Sequence, residues 1–181
     1  MKEPNSIIYI DNDIVRFSTT NNQGEITAIV TVDRADWKRV STRRWYKHHN
    51  YIVTITSKAQ GKKRRYILLH NYITKREPGN TDHENNNPLD NRRANLRRAS
   101  VEENSRNRSK VKLWKGKPPT SQYKGVSRRS DKYRTKIYQA RIFHKGKCIW
   151  LGCFETEEQA GLAYNEAALK YHKEFAKLNE I

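Results

Sequence analysis

The chain has 181 residues, room for one ordinary domain or two small ones, each with a modest core. Its 37 Lys and Arg against 19 Asp and Glu leave a formal charge of +18 and a pI near 10, a field suited to a nucleic-acid partner. No apolar run approaches the ~20 residues needed to span a bilayer, and no signal-peptide pattern is read at the start, so membrane association is not expected. The two cysteines, Cys148 and Cys153, stand in CIWLGCF without C-x-x-C spacing or a matching second pair. That argues against structural zinc and for reduced thiols in a cytosolic protein.

Taken in chain order, Ser6–Ile10 (SIIYI) and Ile26–Val32 (ITAIVTV) are β-prone and predict strands. Asp33–Val40 (DRADWKRV) predicts a brief helical turn with Asp33 as N-cap and Trp37 and Val40 on one side. Tyr51–Ile55 (YIVTI) and Arg65–Ile73 (RYILLHNYI) read as two further strands, separated by turn material at Gln60–Lys63. His48 and His49 lie on a polar, basic stretch and read as solvated.

The next segment, residues 81–108, reads TDHENNNPLDNRRANLRRASVEENSRNR, with seven asparagines, one Asp-His pair and interleaved arginines. A solvated loop explains part of this composition; a metal-dependent site that handles phosphate explains more. Phosphodiester hydrolysis needs a base to activate water, a cation to stabilise charge on the phosphoryl and leaving oxygens, and alignment. His83 is the natural base, because imidazole titrates near neutral pH. Asp82 supplies a hard oxygen suited to a divalent cation. Neighbours on a strand point to opposite sides, so a turn or bulge is expected to converge them. Ser100-Val101-Glu102-Glu103 matches a capping box and predicts a helix start. Asn104 then lies in the first turns, with Asn107 and Arg108 on the same face. Asn95 falls in the intervening loop, where an Asn side chain can hold a turn rigid.

The order Asp82-His83, Asn95, Asn104 resembles the HNH endonuclease motif in the variant whose last His is Asn, as in phage and intron-type homing endonucleases. YILLHNYI resembles that family's preceding strand, with His70 in the place of its leading His. The resemblance implies a ββα-metal core: two strands and a helix gripping one divalent metal, Mg²⁺ or else Mn²⁺. It implies His83 as general base, Asp82 and Asn104 as metal ligands and Asn95 as loop brace. His70 is left between orienting the site, contacting DNA and serving as a plain strand histidine. Asn107 and Arg108 are accessory candidates.

RSKVKLWKGKPPTS (Arg108–Ser121) is basic and Pro-containing and reads as an extended linker, either a spacer or a tether along the phosphate backbone. Beyond it, β-prone runs at Tyr123–Arg128, Lys136–Phe143 and Lys147–Phe154, with a Lys145-Gly146 turn, predict a three-stranded antiparallel sheet. Thr156-Glu157-Glu158-Gln159 is another capping box. Ala160, Ala163, Tyr164, Ala167, Ala168 and Tyr171 then form one apolar helix stripe. One sheet face is left with Arg129, Gln139, Arg141 and Trp150, side chains suited to a DNA major groove. YKGV, WLGCF, TEEQAGLAYNEAA and FAKLN resemble the AP2 DNA-binding domain. That resemblance implies DNA-contacting positions at Lys124, Arg129, Arg141 and Trp150.

The expected class is α+β: a small β-rich N-terminal layer with the HNH core over 1–108 (motif 66–108), a basic linker at 109–121 and an AP2-like domain at 122–181. The resulting expectation is a homing-type, site-directed DNA endonuclease of phage or mobile-element kind. It is expected to be a monomer, with a dimer left open, acting on double-stranded DNA in the cytoplasm of a bacterial or phage-infected cell. By family analogy it nicks or cuts to leave 5′-phosphate and 3′-hydroxyl. The alternative is a non-catalytic sequence-specific DNA-binding regulator. An RNA-binding accessory role is weaker, because no aromatic stacking platform is evident.

Overall fold

The computed structural model describes residues 5–56, 65–76, 80–110, 116, 118–130 and 135–181, and divides into Met1–Val101 and Glu102–Ile181. In the first unit, β1 (Ile7–Ile10), β2 (Ile14–Thr20) and β3 (Ile26–Asp33) form an antiparallel sheet in that order. Strand β2 is additional to the sequence expectation. Asp11 makes it possible by accepting the amides of Asp13 and Ile14 at 2.8 and 2.7 Å, which turns the chain back. Alternation then sends Val15 and Phe17 inward beside Val30 and Val32, all fully buried. Helix α1 (Arg34–Val40) follows, with Trp37 packed on Phe17 at 5.2 Å. Asp33 stands at the N-cap position, but its carboxylate makes no cap hydrogen bond. It accepts the Arg93 amide at 2.7 Å instead.

A second antiparallel sheet, order β4-β5-β6, comprises Tyr46–His48, Tyr51–Ile55 and Tyr66–Leu68. His48 and His49 are exposed, and His49 takes the left-handed turn between β4 and β5 at φ 51°. The expected strand over Arg65–Ile73 is corrected beyond Leu68: Leu69–Thr74 is helix α2. Helical spacing brings Leu69 and Ile73 onto one face, and both are fully buried. Burial therefore overrides the β preference of the local sequence. Lys75 ends α2 in the left-handed region at φ 56°. The Gln60–Lys63 turn lies outside the described residues. Leu69, Ile73 and Leu96 share one core with Val15, Phe17, Val30, Val32, Trp45 and Ile52, so both sheets and α2 bury into the same interior. Last, β7 (Thr81–His83) pairs antiparallel with β8 (Leu96–Arg98), in register Asp82 to Arg97 and His83 to Leu96.

The second unit opens with α3 (Val101–Asn107), directly after the Ser100 of the predicted capping box. Its sheet runs β11-β10-β9, from Lys147–Phe154, Tyr138–His144 and Val126–Arg128, and packs on α4 (Glu157–His172). The Thr156–Gln159 capping box is formed in both directions. Ala140 and Ile142 face Ala160, Tyr164, Ala167 and Ala168, where the alanines let helix and sheet approach closely. Gly125, at φ 76°, is required, since a Cβ there would overlap the Tyr164 ring. Lys145 and Gly146 make the hairpin turn with positive φ at both positions. Of the linker segment, Lys110 is held by the Tyr123 and Val126 carbonyls, each at 2.8 Å. Residues 111–115, 117 and 131–134 lie outside the described residues, with the corresponding parts of the linker and of the first sheet turn. Among the described residues no helix is long and apolar enough to cross a membrane.

Candidate active site

Strand β7 carries Asp82 and His83 in succession, both buried. The turn or bulge expected to converge them is absent; they are regular strand neighbours, so their side chains leave on opposite faces. On one face the Asp82 carboxylate accepts Arg97 Nε and Nη2, each at 2.9 Å, from the directly opposed position of β8. On the other, His83 Nε2 lies 3.3 Å from Asn91 Oδ1. The His70 ring meets His83 edge-on at 4.9 Å, and Tyr51 stands 5.6 Å from His70 and 6.4 Å from His83. His70 reaches this cluster from helix α2, not from a strand.

The asparagines of 84–95 shape the loop between β7 and β8. Asn95 Oδ1 accepts the Asn85 amide at 2.9 Å, and its Nδ2 donates to the Asp90 carbonyl at 2.8 Å. Asn85 and Asn87 each accept the amide two residues on, at 2.8 and 3.1 Å. Strand β3 holds the loop from outside: Thr31 donates to the Leu89 carbonyl and accepts the Asn91 amide, at 2.9 and 2.8 Å. Helix α1 adds Asp36, which takes Arg93 through two bonds of 2.7 and 2.8 Å. The N-terminal region thus serves as the scaffold of this loop.

Asn91, only 1% exposed, was not among the sequence candidates. Its Nδ2 donates to the Pro88 carbonyl at 3.0 Å, which turns Oδ1 toward His83. A neutral His83 then carries its hydrogen on Nε2, because the Asn91 oxygen can only accept. The sequence signal was a single amide eight residues beyond the base, hidden among six others.

Burial lowers the His83 pKa below the ordinary imidazole value, against smaller raising effects from the Asn91 hydrogen bond and the Asp82 and Asp90 charges. Burial, with the neighbouring His83 as a lesser cause, brings His70 down to about 3. A buried neutral imidazole stabilises the fold fully above the unfolded value of ~6.5, and that contribution is lost as pH falls toward the folded value. Thermal melts should therefore show wild-type stability falling between pH 7 and 4.5 by about 2 kcal/mol more than that of His70→Gln. Parallel pH slopes would remove His70 as the cause.

For a divalent cation, Asp82 offers the hard oxygen such ions select. At 4% exposure this carboxylate is paired with the Arg97 guanidinium, which a divalent cation would have to displace or share. Among the described residues no three His, Cys, Asp or Glu cluster. Carboxylate oxygen is the donor type that Mg²⁺ selects. Asn104 (half-buried), Asn107 (buried) and Arg108 (exposed) belong to the second unit.

That unit's sheet presents Gln139, Arg141 and Trp150 on the face away from α4, with Arg141 paired to Trp150 and both exposed. Gln139 donates to Ser127 at 2.8 Å, and Arg129 reaches Cys153 Sγ at 3.8 Å. Lys124 instead donates its ammonium to the Arg106 and Arg108 carbonyls, and burial lowers its pKa to about 8.

Over 178 residues the chain is 31% identical to an uncharacterized HNH endonuclease of Acanthamoeba polyphaga mimivirus, covering 96% of this chain and 85% of that protein. No family model and no solved structure matches the chain. The aligned stretch spans both units, and the chain belongs to the HNH endonuclease family.

Proposed function

We propose that this protein is a metal-dependent DNA endonuclease of homing type. His83 is its general base, and its second unit is an AP2-like module that binds the target. The observation that carries this reading is the His83 imidazole, kept neutral by burial and oriented by Asn91, in a chain of the HNH family. His83 takes the proton of the attacking water, and Asn91 fixes the ring through Nε2. Asp82, on the opposite face of β7, is the carboxylate offered to a divalent cation, and Asn95 braces the loop. That cation, when bound, stabilises negative charge on the phosphoryl and leaving oxygens. Arg129, Gln139, Arg141 and Trp150 meet the duplex, and the charge of +18 draws it in.

Supercoiled plasmid bearing the DNA that flanks the gene tests this directly. Protein with Mg²⁺ should convert it to relaxed or linear product. Specific binding without cutting, across Mg²⁺ and Mn²⁺, would replace the proposal with a DNA-binding regulator. Arg141→Ala should lower discrimination between target and unrelated DNA by about tenfold, the value of one well-made base contact. Its cleavage rate at saturating DNA should stay near wild type. A loss of cutting with unchanged discrimination would overturn this division of roles.

A further inference from the structure

We infer that Tyr51 is a further catalytic residue, whose phenol donates a hydrogen bond to the scissile phosphate beside His83. This role rests on the nuclease reading of the Asp82–His83 strand and extends the site onto the second sheet. Tyr51 opens β5 just after the β4–β5 turn, where it pairs with His48. Ile52, Val53 and Thr54 behind it are all buried, so the tyrosine is presented from a rigid strand. Its ring meets His70 edge-on at 5.6 Å and stands 6.4 Å from His83.

The other members of this cluster are closed to solvent: His70 is 5% exposed, His83 6% and Asn91 1%. Tyr51 is 42% exposed. A duplex stays outside the fold and therefore meets the cluster at Tyr51. The Tyr51 hydroxyl makes no hydrogen bond among the described residues, which leaves it available to a substrate.

The spacing suits the chemistry. A base that acts through one water holds that water at about 3 Å, and the water oxygen lies about 3–3.5 Å from the phosphorus before attack. The phosphoryl group is then roughly 6 Å from the imidazole, and a side chain that touches it must stand about that close to the base. Tyr51 does. Tyrosine hydroxyls are regular donors to DNA phosphates, and such a bond strengthens as negative charge builds on the phosphoryl oxygens. Charge favours the same approach. Residues 37–76 hold twelve Lys and Arg and no Asp or Glu, and Arg44 and Lys47, beside and on β4, are exposed. Phosphate is drawn to the hairpin that carries Tyr51.

The test has one arm that needs cleavage and one that does not. With Mg²⁺ and saturating plasmid bearing the DNA that flanks the gene, Tyr51→Phe should cut about 10–100-fold more slowly, the value of a hydrogen bond to a charged group. Its melting temperature should match wild type, because the ring and its packing on His70 remain. Phenylalanine would serve a purely packing role equally well, so cutting at the wild-type rate by Tyr51→Phe overturns the inference. In the second arm the photoreactive p-benzoylphenylalanine replaces Tyr51, and the protein is irradiated in EDTA with a labelled duplex of the same flanking sequence. It should crosslink at least tenfold more than protein carrying that group in place of Ile29, which is 49% exposed on the first sheet. Equal crosslinking from the two positions, or none from position 51, also overturns the inference. If wild type cuts nothing, the nuclease reading fails and the crosslink alone decides whether Tyr51 meets DNA.

Discussion

Replacing His83 by alanine should slow plasmid cleavage by about 10²–10⁴-fold, the usual contribution of a positioned general base, with DNA affinity unchanged in a metal-free binding assay. The expectation rests on where the imidazole sits: buried, edge-on to His70, and tethered through Nε2. Because only the neutral ring can accept a proton, the wild-type rate should fall as pH drops through the His83 pKa. Burial lowers that value, so activity should persist below the ~6.5 of an ordinary imidazole. Asn91 provides a second handle on the same group. Asn91→Leu removes a hydrogen bond that raises the His83 value, so the acidic limb of the rate profile should move to still lower pH. The maximal rate should fall about tenfold as the ring loses its orientation. A merely structural asparagine would change stability and leave the limb in place. Wild-type cutting by His83→Ala would end the assignment of the base.

Trp45→Ala should cost about 3–5 kcal/mol of stability, read as a lower urea midpoint with an unchanged slope. Trp45 is fully buried in the core that joins the two N-terminal sheets to α2. Its indole N–H donates to the Val40 carbonyl at 2.9 Å, and its ring meets Tyr72 at 5.4 Å. Truncation opens a large cavity and leaves the Val40 carbonyl without that donor. Because α1 carries Asp36, and Asp36 holds Arg93 of the site loop, activity should fail at the same temperature as the fold. A Trp45→Phe variant keeps most of the volume and should lose much less. Equal losses in the two variants would show that the N–H bond, not the volume, matters there.

The second unit was the more legible half. A capping box, an alanine stripe at helical spacing and a Lys-Gly turn are local signals, and local physics decides those features. The first unit depends on contacts far apart in sequence. Nothing near His70 announces a helix: RYILLHNYI is rich in strand formers, and only the burial of Leu69 and Ile73 in a common core bends it into α2. Strand β2 has no clear local signal, because IVRFSTT mixes polar and apolar residues and its register is set by β3. Asp82 and His83 were legible as chemistry, but their local geometry was not. The partnership of Asp82 with Arg97 depends on the register of a three-residue ladder, and that of His83 with Asn91 on a loop moored to β3.

The asparagine loop has a consequence for how salt acts on this protein. Bonds among neutral amides and backbone groups do not weaken as ions accumulate, whereas attraction between a polycation and phosphates falls steeply. Raising ionic strength should therefore release DNA long before it loosens the amide bonds of that loop. Nor do the loop's amides repel an incoming phosphodiester, and the carboxylates Asp36 and Asp90 are each paired with an arginine.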